Sequence, residues 1–565
     1  MRRFRYESLL YALAFAIALG VRVARLDTPP LSDAEARWAL QALGVAQGTR
    51  PLLGSQPAYI LLTSVLFYLL GAGTNFLARL VPALAGSALV LAPALFAQRL
   101  KPRVAVILAF LLAVEPGLVA MSRQAGSGIL AVSFALLAWG FWERRRFAWA
   151  GILAGLALLS GPLLWEGILG LGLTWLISQA FRDRGADEAP AAPRPARAEW
   201  ITALWFAVGT VVLGGTLFFL APNGLSAWTS ALPDYLVGWR SPSGVPAGLL
   251  LFSLLAYQPL GVILAVVAAV RGSIQGGRRI ILLSLWLVVA LLLALFYPAH
   301  QVSDLAWTLV PLWSLAALEL ARNLNVFPEE RREVLGVVAL TVVILAFMWI
   351  NFTGFLQTQA PSSQATLRIW LLLGSLFLLF ISILLVAVGW SIRAARFGAI
   401  WGLTAALGIY AISAMTAAAG LRVVPESVEL WRPGGRLPEA GLLRQTVDDL
   451  SDWSRSNADA QPVTIVALDS PALQWLLRGH ELHQVAALDV SSQPPILIAV
   501  GQNNPQLAAG YRGQEFVWRQ DPMWDQTTVF DWFRWLGFHQ VVQEPQKVIL
   551  WVRTDLFIDS PVPKP

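Results

Sequence analysis

The sequence predicts an α-helical polytopic membrane protein of about 13 crossings, followed by a small α/β domain outside the bilayer. Three observations predict it. Hydrophobic residues fill 57% of 565 positions and charged residues only 13%, whereas soluble chains carry about 25% charged residues. The apolar residues run continuously, as over 334–350 and 369–390. Such runs suit helices, which need roughly 20 apolar residues to cross, and exclude the alternation of a membrane barrel. Finally, basic residues gather in short clusters between the runs, as in loops that face the cytoplasm.

Taken in order, the clusters are Arg2/Arg3/Arg5, Arg99/Lys101/Arg103, Arg144–Arg146, Arg182/Arg184/Arg194/Arg197, Arg271/Arg278/Arg279, Arg322/Arg331/Arg332 and Arg393/Arg396. If all are cytoplasmic, two crossings separate each neighbouring pair. Spans over 8–26, 76–98, 104–121, 127–142, 147–161, 163–181, 200–221, 247–270, 280–298, 304–321, 334–356, 367–390 and 397–420 satisfy this. Their number is odd, so the N-terminus is cytoplasmic and the tail from about 425 lies across the plasma membrane. The first run is followed by Arg22 and Arg25 without a small-residue cleavage site, which reads as a retained anchor. Residues 57–72 are apolar but short, and counting them would misplace Arg99–Arg103. A re-entrant or interfacial helix fits there better than a true span.

The membrane domain thus covers 1–424, with an outer loop over 27–75 and an Ala/Pro/charge-rich cytoplasmic linker over 182–199. The domain over 425–565 shows strand-length apolar runs at 462–468, 494–500, 515–519 and 547–553. Helical patterns at 440–455, 471–478 and 526–536 alternate with them. Asp469-Ser470-Pro471 supplies a cap and a first-turn proline.

Some functions are excluded. The net charge of +7 is spread over separate clusters, so nucleic acid is not a predicted partner; membrane lipid is. With no cysteine, there is no disulfide framework and no thiolate metal site. His480-Glu-Leu-His483 has i, i+3 spacing rather than the i, i+4 of zinc proteases and reads as a solvated loop. No phosphate-cradling Gly-x-x-x-x-Gly-Lys loop or Gly-x-Ser-x-Gly elbow occurs. Most of the 25 tryptophans fit interfacial belts and core.

The segment PPLSDAEARWALQAL (29–43) carries the most chemistry. It sets Asp33, Glu35 and Arg37 at the start of an amphipathic helix on the membrane surface. Arginine pairs with phosphate and a carboxylate accepts a proton from an incoming hydroxyl, a combination suited to lipid-linked phosphates. The plainer reading is a capping box between Ser32 and Glu35. Further candidates on the same side are Glu115, inside a span and a partner for Arg123, then Glu166, His300 and Asp304. A charge within a span is costly and faces inward, though each alone is as readily structural.

QPAYILLTSVLFYLLG (56–71), RLVPALAGSALVLAPALFAQRL (79–100) and PGLVAMSRQAG (116–126) follow the acidic loop in order. In this order the chain resembles the GT-C membrane glycosyltransferases, in the family-39-like branch of protein O-mannosyltransferases and the lipid A aminoarabinose transferase. The resemblance implies transfer of a sugar from a polyprenyl-phosphate donor to an extracytoplasmic lipid, glycan or protein. It casts Glu35 or Asp33 as the catalytic carboxylate and Arg37 with Arg123 as phosphate ligands, and leaves any divalent metal open. Four positions depart from the family pattern: Ala34 stands at the usual Asp, and Gln56 at a frequent basic position. Gly126-Ser127-Gly128 follows Ser-Arg where an acid is usual, and Ser160-Gly161-Pro162 replaces a common Lys. Glu115, Glu166 or Asp304 would then be replacement carboxylates in an outer cavity. The alternative is a non-catalytic relative that binds lipid or glycan; a transporter is weaker, because broken mid-membrane helices are not evident.

Overall fold

The computed structural model describes the chain except for Met1, 181–195, 325–329, 359–361, 423–426, 433, 456–460, 490–491, 502–506, 508 and 558–565. Most of the linker expected over 182–199 lies outside the described residues. Helix Arg197–Gly209 begins at its end and continues into a π-helical turn, Thr210–Gly214.

Among the described residues, eight helical segments are long and apolar enough to cross a membrane. They are Tyr6–Val23, Asn75–Leu95, Leu163–Ala180, Arg278–Phe296, Val302–Arg322, Arg331–Gln357, Ser363–Gly389 and Ile392–Ala418. Each coincides with a predicted span. Two other predicted spans are broken helices, Pro102–Ala113 with Pro116–Ser122 and Ala247–Tyr257 with Pro259–Gln275, bent by 57° and 90°. This corrects the expectation that broken helices are not evident. Both breaks sit where proline removes a donor and restricts the residue before it. The predicted spans at 127–142 and 147–161 are helices Ile129–Glu143 and Phe147–Leu158, of 15 and 12 residues. At 1.5 Å per residue these reach only about 18–23 Å. Helix Pro57–Leu70 has 14 residues, with Tyr68, Leu69 and Leu70 at its exposed end.

The sequence builds the first break in full. Arg22 donates to the carbonyls of Leu112 (3.3 Å) and Ala113 (2.9 Å), which the helix end leaves unpaired. Glu115 caps the next helix by accepting from the Leu118 amide. Its other oxygen accepts from Gln258 Nε2 at 2.8 Å, and Gln258 lies at the second break. The two bends are therefore tied to each other. Burying the Glu115 carboxylate and the Gln258 amide N–H is tolerable because they partner each other.

The C-terminal domain is a five-stranded mixed sheet. Its strands are β1 (Val463–Val466), β2 (Leu482–Val485), β3 (Ile496–Val500), β4 (Tyr511–Pro522) and β5 (Gln543–Arg553), in the order β2-β1-β3-β5-β4. β1 is parallel to β2 and β3, and β5 is antiparallel to β3 and β4. Strand β2 replaces the loop expected at 480–483. Helices Ala440–Arg455, Pro471–Leu476 and Val529–Phe538 complete the domain.

Aromatic contacts seat it on the helices. Trp475 packs on Phe67 and donates to Asn75 at 2.8 Å. Trp532 meets Phe252 edge-on at 4.5 Å, and Phe533 meets Phe352.

Candidate functional site

A cavity of about 400 Å³ lies where the C-terminal domain meets the helices. Glu35, Arg79, Arg123, Glu429, Arg432 and Arg436 line it, along with Gln124 and Arg422.

Its floor comes from the acidic segment. Helix Asp33–Ala46 opens on Ser32, whose capping box with Glu35 is complete. The capping reading and the site reading of Glu35 therefore both hold. Glu35 is buried, and Arg79 reaches both of its oxygens, with Nε at 2.7 Å and Nη2 at 2.8 Å. The amides of Ala125 (3.0 Å) and Ser32 (3.1 Å) add two more bonds. Burial pushes this carboxyl up, but the Arg79 charge and these bonds more than offset it and leave it below its ordinary range.

The walls are arginines fixed by backbone. Arg123 donates to the carbonyls of Val21, Arg22 and Ala24, at the end of helix Arg2–Val23, and to Ala419. Arg432 also reaches Ala419, at 2.7 Å. Gly420 allows this approach: its φ is +66°, and a Cβ there would fall 2.2 Å from the Arg432 guanidinium. Burial, then Arg432 and Arg79, push Arg123 down to about 10. Burial, then Arg79, lowers Arg432 too. Crowded guanidinia of this kind are stabilised by an anion.

Glu429 forms the far side. It accepts from the Tyr257 hydroxyl beside the second break and pairs with His539 of the C-terminal domain at 3.1 Å. Trp431 packs over Gly117 at the first break, so residues 428–432 rest on both bends.

The expected site residues separate. Glu35 and Arg123 line the cavity. Asp33 does not; it accepts from Ser470 Oγ (2.6 Å), the Ala472 amide (3.0 Å) and Arg519 (3.1 Å), all in the C-terminal domain. Arg37 is exposed, and Arg79 stands at Glu35 in its place. The expected Glu115–Arg123 pair is not formed, because Arg123 is held by carbonyls and Glu115 by Gln258 and Leu118. Glu166 and Asp304 interact electrostatically with each other and lie outside this cavity, near Tyr235 and Tyr297. His300 sets its two ring nitrogens against the carbonyls of Tyr297 and Val245. Among the described residues, no group of three His, Asp or Glu side chains could hold a metal ion.

Sequence reasoning missed Arg79, Glu429, Arg432 and Arg436. The charged Glu-x-x-Arg-x-Gly-Gly-Arg stretch at 429–436, between the last span and the first domain helix, was the available signal.

Broken and continuous membrane helices, an arginine-lined cavity and a small α/β domain seated above it define a polytopic helical membrane protein with a soluble domain docked on its bundle. In particular, the chain is similar to the aminoarabinose transferase ArnT from Cupriavidus metallidurans, solved bound to undecaprenyl phosphate. The TM-score is 0.54 at 15% identity, over 96% of this chain and 98% of ArnT. Apo ArnT matches over the same shares with a TM-score of 0.52 at 14% identity. The archaeal oligosaccharyltransferase AglB from Archaeoglobus fulgidus aligns at 0.43 and 12% identity, over 88% of this chain and 70% of AglB. No family model and no curated protein matches the sequence.

Proposed function

We propose that this chain is a GT-C-type membrane glycosyltransferase. It takes a sugar from a polyprenyl-phosphate donor on the outer face and gives it to an extracytoplasmic lipid, glycan or protein. The observation that carries this reading is the cavity in which Arg79, Arg123, Arg432 and Arg436 face Glu35 and Glu429 at the foot of the soluble domain. In the reaction the acceptor oxygen attacks the anomeric carbon and the bond from that carbon to the phosphate oxygen breaks. The electron pair leaves with the polyprenyl phosphate, whose charge the arginines stabilise. The acceptor proton passes to a cavity carboxylate, Glu35 or Glu429. Asp33 positions the C-terminal domain instead of the reacting atoms.

A specific observation favours a second reading, binding without turnover: both oxygens of Glu35 already accept strong bonds, which weakens it as a base.

The test supplies purified protein in lipid with polyprenyl-phosphate hexoses and pentoses and reads sugar transfer or release by mass spectrometry. Glu35→Gln, Glu429→Gln and Arg436→Ala are run beside it. Turnover that disappears in one Gln variant while donor binding persists names the base. Donor binding that depends on Arg436, with no turnover in any protein, establishes the second reading.

A further inference from the structure

A second and larger cavity, of about 830 Å³, lies at the other end of the helices. Helix Arg2–Val23 relates the two: Glu7 lines this cavity, while Leu26, just past the helix's other end, lines the arginine cavity. Among the described residues, five basic side chains face it, Lys101, Arg103, Arg271, Arg279 and Arg322, against Glu7 as the one acidic lining residue. Arg271 is neutralised by Glu319 at 2.8 Å. Arg279 donates to the Arg99 carbonyl at 2.7 Å, a bond that orients its charge without cancelling it. The first turns of helices Pro102–Ala113 and Arg278–Phe296 also open here, adding the positive ends of two helix dipoles.

The basic cavity does not end at charge. A groove of about 400 Å³ runs along one face of helix Pro259–Gln275, lined by Val266, Val267, Val270 and Ile274, and shares Arg271 with it. These side chains are open to the surroundings, Val266 by 56% and Val270 by 55%. From Arg271, the valines lead towards the middle of the helix, and so from the membrane surface into hydrocarbon. An anionic head with an apolar tail matches this sequence of surfaces, whereas a soluble anion would use only the first.

We propose that the cavity and groove together bind an anionic phospholipid of the leaflet on the N-terminal side. The phosphate sits among Lys101, Arg279 and Arg322, and one acyl chain lies along Val270, Val267 and Val266. Basic pockets between membrane helices recognise such headgroups through charges that add up close to the surface. The site is independent of the sugar-transfer reading, since none of its residues lines the arginine cavity.

The test is native mass spectrometry of delipidated full-length protein, offered equal phosphatidylglycerol and phosphatidylcholine. Wild-type protein retains phosphatidylglycerol in preference by about tenfold, and Lys101→Ala/Arg322→Ala removes most of that preference. Val270→Trp, which fills the groove, lowers retention of phosphatidylglycerol. Arg146→Ala, a basic site outside the cavity, leaves it unchanged. Equal retention of both lipids by wild-type protein overturns the proposal without reference to any variant. So does an equal loss in the Arg146 variant, which marks a bulk charge effect. Displacement of the lipid by excess inorganic phosphate, with Val270→Trp behaving as wild type, overturns it in favour of a free-anion site.

Discussion

Glu35 shows how one residue serves local structure and site together. It closes the capping box of its own helix and neutralises Arg79, a residue buried to 4% exposure. Glu35→Gln leaves that guanidinium without a countercharge, and breaking a buried pair from one side costs about 3–5 kcal/mol. Thermal unfolding of the variant in micelles measures the loss; Glu35→Gln/Arg79→Met recovers much of it. The sign with pH follows from the lowered carboxyl. Its stabilisation is fully present above the ordinary value of 4.5 and is lost as pH falls through the folded value. Wild-type protein therefore loses stability on acidification below about that point, and Glu35→Gln lacks this component. Glycines in two of the segments after the acidic loop have close neighbours as well. Gly126 has φ +69°, and a Cβ there would fall 2.2 Å from Trp38. Gly161 has φ +97° and lies under Gln56. Both glycines thus sit against side chains from distant segments, Trp38 and Gln56. Such packing is invisible in a single sequence, because it depends on which distant segments meet.

At the scale of elements, periodicity and apolar runs made most helices and four of the five strands legible. Helix 440–455 and the Ser470 cap with Pro471 at its first turn stand where the pattern put them. Strand β2 escaped because Leu482-His-Gln-Val485 is short, polar and at the sheet edge. The bends escaped because hydropathy integrates across a break, although Glu115-Pro116 and Gln258-Pro259 both carry the dipeptide that interrupts a helix. Asp33 has the residue type of a catalytic carboxylate, and in the fold it caps a helix in trans. It receives Ser470 and the first-turn amide of Ala472, from a helix more than 400 positions later. Asp33→Ala removes that cap and the Arg519 pair, a loss of about 1–3 kcal/mol in docking. Hydrogen exchange should rise over 471–476, and Asp33→Asn, which keeps an acceptor, should retain part of the protection. Exchange unchanged in both variants would place the docking energy in Trp475 and Phe67 instead.

Across the whole molecule, the two charge-lined cavities lie at opposite ends of the helix bundle, and they depend on different parts of the chain. The arginine cavity draws Glu429, Arg432 and Arg436 from the segment after the last span and is closed by Gln520 and Pro522 of the sheet. Among the described residues, the basic cavity at the other end draws only on residues up to Arg322. Removing 425–565 therefore deletes half of the first site and nothing of the second. It also strips Glu429 from Tyr257 and Trp431 from Gly117, loosening the two bends without breaking the Glu115–Gln258 bond between them. The truncated chain should lose polyprenyl-phosphate binding by about tenfold or more, as expected when two charge-assisted contacts disappear. Its phosphatidylglycerol preference should remain that of the full chain, which serves as the check that the helices are intact. Should both activities vanish together, the C-terminal domain would be holding the bundle as a whole, through the aromatic contacts at Phe252 and Phe352. Should polyprenyl phosphate still bind, its phosphate would rest on the remaining arginines, Arg79, Arg123 and Arg422, and the 429–436 stretch would serve the acceptor rather than the donor.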